Sequence, residues 1–142
     1  MFDITGKCCW ASIINLNTFF EPCWRIDIQV DDDNRKLIKE SKLEIRNRGV
    51  ELVSFRKKFK RFNGKIQDPP LVLDHKGWGW KKGLVGNGSL VTVIAEIQEL
   101  KYKNKKMVVG DLKAVQILDH ICYPKEINRW QSTGHALTVA VY

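Results

Sequence analysis

Residues 23–30 read CWRIDIQV, and the alternation of apolar and polar side chains along them is the period-2 pattern of a strand with one face buried and one face wet. Upstream, Lys7–Leu16 is rich in Ile, Trp and Cys with partial alternation. The two segments are expected to form a hairpin whose loop, Asn17–Pro22, displays Phe19 and Phe20. Downstream, Asp31, Asp32, Asp33 and Asn34 precede Arg35–Leu43, where Leu37, Ile38 and Leu43 are the apolar positions. An Asp or Asn cap there predicts a short helix of about two turns. The strict alternation of KLEIR, Lys42–Arg46, reads equally as the start of another strand.

The next run, VELVSFRKKFKRF from Val50 to Phe62, is strand-like and strongly basic, and Asn63-Gly64 after it signals a turn. Lys65–Gly88 carries Pro69, Pro70 and five glycines, among them Gly77, Gly79 and Gly83, and reads as a long surface loop. Leu90–Leu100 and Met107–Leu118 resume strand character, joined by the polar turn Lys101–Lys106. Five or six strands with one short helix predict an all-β protein, a small barrel of the oligonucleotide-binding (OB) type, because too few helices exist to cross parallel strands.

At 142 residues the chain is the size of one domain and can bury about two-thirds of its unfolded surface. A single domain over 1–142 is expected, with a peripheral segment from about 124 to 142. Lys and Arg number 24 against 16 Asp and Glu, which makes a polyanion the natural partner class. No run approaches the ~20 apolar residues needed to span a membrane. Met1–Cys9 contains Asp3 and Lys7 and lacks the layout of a signal peptide, so a cytoplasmic protein is expected. Cys8, Cys9, Cys23 and Cys122 form no CxxC, and His75, His120 and His135 are scattered. These cysteines read as small apolar residues on strands, with neither metal nor cofactor called for.

The functional signal is densest at Phe55–Lys65, where Arg56, Lys57, Lys58, Lys60, Arg61 and Lys65 interleave with Phe55, Phe59 and Phe62. On a strand, Phe55, Lys57, Phe59 and Arg61 share one face, and Arg56, Lys58, Lys60 and Phe62 the other. Single-stranded nucleic acid asks for that mixture, since phosphates need cations and unpaired bases need flat rings; the alternative is that Phe55 and Phe59 are barrel core. Trp78, Trp80, Lys81 and Lys82 form a second cluster among glycines. Those tryptophans either fold back onto the core or receive a ligand. Phe19, Phe20 and Trp24 make a weaker third group, and Tyr102, Lys103, Lys105 and Lys106 lie on a hairpin suited to flank the same groove. Asp31–Asp33 read as a helix cap rather than a metal site, and GLVGNGS, Gly83–Ser89, lacks the Lys and helix of a phosphate loop. No catalytic motif is present, so a binding protein and not an enzyme is expected; an RNA-binding barrel and a protein-interaction module with a basic face stay open beside a single-stranded DNA coat.

An ordered series of segments also resembles the single-stranded DNA-binding proteins of short-tailed bacteriophages. It comprises GKCCWASI at 6–13, NTFFEP at 17–22, DPPLVLDHKGWGW at 68–80, LVGNGSLVTV at 84–93 and GDLKAVQIL at 110–118. The resemblance implies an OB fold and coating of single-stranded DNA in phage replication and recombination, in the cytoplasm of the infected bacterium. It also implies contacts with a phage DNA polymerase and helicase-primase, and a homodimer. Such proteins commonly end in an acidic tail, whereas here Glu126 is the one carboxylate side chain after Asp119, and the sequence finishes GHALTVAVY with Tyr142 last.

Overall fold

The computed structural model describes residues 1–18, 21–61 and 63–121, with no account of the Tyr102 side chain. Phe19, Phe20, Phe62, Cys122, His135 and the 124–142 segment therefore lie outside the described residues. The elements run β1 (Phe2–Asn17), β2 (Cys23–Gln29), α1 (Arg35–Ser41), β3 (Arg46–Asn47), β4 (Glu51–Lys58), β5 (Leu71–Leu73), β6 (Leu90–Tyr102) and β7 (Lys105–Asp119).

Sheet order is β3-β4-β2-β1-β6-β7-β5, and β4 pairs in addition with β7. That extra pairing closes β1, β2, β4, β6 and β7 into a five-stranded barrel of the OB type, as the strand pattern predicts. The closing seam is parallel and short, Phe55 opposite Gly110 and Arg56 opposite Asp111. Gly110 is required there, because a Cβ at that position would stand 2.5 Å from Phe55 Cδ1. Inward residues alternate on β2 (Ile26, Ile28), β4 (Val53, Phe55) and β6 (Val91, Val93, Ala95), while on β7 a register shift between Leu112 and Ala114 separates Leu112 from Val115 and Ile117, all three buried. Each fully buried aliphatic side chain contributes about 1.5–3 kcal/mol, and closure lets five strands share one core.

The structure departs from the sequence expectations at five places. β1 begins at Phe2, five residues before the predicted start, and delivers Ile4 to the core. KLEIR does not extend as a strand: after α1, Lys42 takes a left-handed φ of 66° that ends the helix, and only Arg46–Asn47 pair with β4. Asn34, at the helix start, makes no side-chain cap; its amide instead donates to the carbonyls of Thr5 and Gln29, while the Asp31 carboxylate accepts from the Asp33 and Asn34 amides. The predicted long loop contains β5, which runs parallel to β7 with Leu71 opposite Ala114. The β6–β7 connection is tighter than expected, with Lys103 and Asn104 both at positive φ, 48° and 64°, the pattern of a two-residue hairpin turn.

Candidate nucleic-acid interface

The strand alternation that turns Ile26, Ile28, Val53 and Phe55 inward turns Arg25, Asp27, Ser54 and Arg56 outward. Register aligns them in rows: Ser12, Arg25 and Arg56 lie opposite one another across β1, β2 and β4, and Cys9, Asp27 and Ser54 form the next row. Arg25 is held edge-on, Nε 3.1 Å from one Asp27 oxygen and Nη2 3.2 Å from the other, with Nη2 also 3.4 Å from Ser54 Oγ. Asp27 is only 1% exposed, so the guanidinium covers its carboxylate, and a buried charge is tolerable because it is paired. Burial, and then the Asp27 charge, push the neighbouring Cys9 thiol above its usual value.

Trp10 projects from this face, 63% exposed. By alternation from Ile4, Gly6 and Cys8, all buried, Trp10 belongs inside the barrel. A β-bulge prevents it: from Cys9 opposite Asp27 to Ser12 opposite Arg25, three steps along β1 match two along β2. Trp10 takes φ 52° at the bulge, an outlier for a bulky side chain and a costly conformation unless its surroundings impose it. The imposing contact is Asn87 Oδ1, which accepts the Trp10 amide at 2.8 Å. A concavity of about 350 Å³ opens beside the ring, lined also by Ser12, Arg25, Asp27 and Arg48.

A second hollow, about 380 Å³, lies farther along the same strands between β3–β4 and the tip-side half of the β6–β7 hairpin. Lys42, Arg46, Arg56 and Lys106 line it, with Glu44 as its carboxylate. Lys58 follows Arg56 on the exposed side, 3.6 Å from Glu21; both partners are well exposed and such pairs hold weakly.

The sequence-predicted site residues divide among several places. Phe55 is corrected outright: at 0% exposure, its ring stacked on Phe2 at 6.3 Å, it cannot meet a base. Phe59 is half-buried and packs edge-on against Trp24 at 5.9 Å, and Trp24 is itself buried, so both are packing residues. The predicted strand faces hold only to Lys58, where β4 ends. Lys60, Arg61 and Lys65 are exposed on the turn beyond it. Lys57 points away from Arg56 and joins Arg61 and Lys65 around a separate hollow of about 410 Å³. Trp80 folds back, donating Nε1–H to the Gly83 carbonyl at 2.8 Å and lying edge-on to His120 at 4.7 Å. Trp78 is 71% exposed, on a loop tied by the Asp74 carboxylate to the Trp78 and Lys76 amides, bonds that hold Asp74 below its usual carboxylate range. Lys81 and Lys82 are exposed on that loop. Tyr102 and Lys103 sit at the hairpin tip, at the opposite end of β7 from His120, so the hairpin and the tryptophan loop do not flank one groove. Arg25, Arg46, Arg48 and Trp10 are the residues that sequence reasoning missed; Arg25 alone was legible, as an outward position of CWRIDIQV.

Among the described residues no group of three His, Cys, Asp or Glu is placed to hold a metal ion, and no helix is long and apolar enough to cross a membrane.

No family model and no curated protein matches the sequence. Solved structures do match the fold. The crystal structure of gp2.5, a single-stranded DNA-binding protein encoded by bacteriophage T7, superposes with a TM-score of 0.69 at 12% identity, over 99% of this chain and 98% of that one. The single-stranded DNA-binding protein of bacteriophage Enc34 gives 0.62 at 14% identity over 92% and 87%. The Enc34 protein in complex with single-stranded DNA gives 0.62 at 13% identity over 85% and 87%.

Proposed function

We propose that this protein coats single-stranded DNA during bacteriophage replication and recombination, holding the strand across the outward face of β1, β2 and β4. The observation that carries the proposal is the composition of that face, where Arg25 and Arg48 line the hollow of an exposed Trp10 and Arg56 follows opposite Arg25 on β4, on the barrel surface that OB folds use for oligonucleotides. Fold likeness to phage proteins that bind single-stranded DNA, one of them in complex with it, supports the same reading.

Cations on the face meet the backbone phosphates, and ring and guanidinium planes offer stacking surfaces to unpaired bases, whose faces are hidden in a duplex. The β6–β7 hairpin, with Lys103, Lys105 and Lys106, borders the track. The protein works by binding alone. Its partners in this reading are the phage DNA polymerase and helicase-primase, a homodimer is its working form, and the infected host's cytoplasm is its location.

Fluorescence anisotropy with labelled single strands and matched duplex tests the proposal. Single strands should bind more tightly, with about 4–16 nucleotides occluded per barrel. Equal or tighter binding of duplex refutes it, and preference for a matched RNA strand moves the assignment to RNA.

A further inference from the structure

The hollow beside Trp10 has the size, walls and polarity of a receptor for one nucleobase. About 350 Å³ is at the small end of the ~300–1,000 Å³ range of ligand pockets. One wall is the Trp10 ring, which the bulge and the Asn87 hydrogen bond hold out of the core. Arg25 forms the floor: Nε and Nη2 are committed to Asp27 and Ser54, and Nη1 has two N–H groups to offer. Arg48 stands on the rim and is exposed. The one carboxylate in the lining, Asp27, is turned onto Arg25 and nearly closed to solvent.

The charged groups that this hollow presents to a ligand are thus hydrogen-bond donors. We propose that it selects a base with adjacent acceptors on an edge left free in a single strand, and so prefers guanine, with O6 and N7, and cytosine, with O2 and N3, either pair matching the forked N–H groups of Arg48 with Arg25 Nη1 beside them. Thymine, whose O4 and O2 flank the N3–H donor, ranks below them. Adenine, which has an amino group beside the acceptor on either free edge, ranks last. The site rests on the single-stranded DNA reading above and adds a base preference to it.

The test uses the full chain and oligo-thymidine of about 12 nucleotides, within the ~4–16 expected per barrel, with one central position changed to guanine, adenine or cytosine. A single guanine or cytosine should tighten binding about 5- to 10-fold over a single adenine, the lower range of discrimination by a bidentate arginine–base pair. Trp10→Ala should bind all four strands more weakly and within about twofold of each other, while Trp10→Phe restores the order. Arg48→Ala, at an exposed side chain, should lose the guanine and cytosine preference yet keep tryptophan quenching by oligo-thymidine. Equal affinity of the wild type for all four strands, or a guanine and cytosine preference that survives Trp10→Ala, overturns the base site while leaving DNA binding intact. Failure to bind any of the strands overturns both the site and the reading beneath it.

Discussion

Gly110→Ala should destabilise the protein although it adds only one methyl group. In an ordinary strand position the change from Gly to Ala stabilises by about 0.5–1 kcal/mol. At Gly110 the new Cβ would lie 2.5 Å from Phe55 Cδ1 and 2.8 Å from Cε1, where carbon contacts normally sit at ~3.5–4.0 Å. The Phe55 ring must therefore retreat by about 1 Å. It has nowhere to go, being fully buried and stacked against Phe2. Overpacking of this kind costs about 1–3 kcal/mol, and at roughly 3–5 °C per kcal/mol for a chain of this length the midpoint of thermal unfolding should fall by about 5–10 °C. Circular dichroism melting of Gly110→Ala, Phe55→Leu and the double variant measures it. The smaller Leu leaves room for the methyl group, so the double variant should lose at least ~0.5 kcal/mol less than the sum of the single losses. A Gly110→Ala melting point within about 1 °C of wild type, or strict additivity, would refute the tight β4–β7 seam and the core role given to Phe55.

Replacing Arg56 and Lys58 together by Ala should flatten the log-log salt dependence of DNA affinity by about 1.4, at roughly 0.7 per phosphate contact on single strands; Lys57→Ala, on the other side of β4, should leave the slope unchanged in the same titrations. Trp80→Ala should lower the melting temperature, losing about 1.5–2.5 kcal/mol as a half-buried ring, with unchanged affinity per folded molecule. Trp78→Ala should leave stability within about 0.5 kcal/mol of wild type. Burial pushes the Cys8 thiol up to about 12, so near neutral pH it is protonated; mass spectrometry after iodoacetamide treatment should find Cys8 unmodified in the native protein and modified in guanidinium.

The barrel was legible because its strands announce themselves locally. CWRIDIQV alternates without a break, and LVTVIAEIQEL and the run from Met107 to Leu118 are long and apolar enough to read as strands in isolation. The helix start was legible from Asp31–Asn34, though not the way Asn34 spends its amide on Thr5 and Gln29, residues that the fold brings to it. β5 was hidden because three residues, LVL, form a strand only once β7 offers an edge to pair with. The basic run at 50–62 misled in one respect: its composition is right for nucleic acid, but sequence could not decide which ring becomes core, and Phe55 does so because Gly110 leaves a space opposite it. Trp10 was hidden most completely. Its exposure depends on a bulge fixed by Asn87, remote in sequence, and no local pattern at GKCCWASI distinguishes an expelled tryptophan from a buried one.

The central claim, that single-stranded DNA lies across the outward face of β1, β2 and β4, is tested most directly by mapping amide chemical-shift changes as oligo-thymidine is added to isotope-labelled protein. The largest changes are expected at Trp10, Ser12, Arg25, Ser54 and Arg56, with the Trp10 indole N–H among them, and little change around Trp78, Trp80 and His120. Changes concentrated on the Trp78–Lys82 loop, or around Lys57, Arg61 and Lys65, with the β1–β2–β4 face silent, would contradict it.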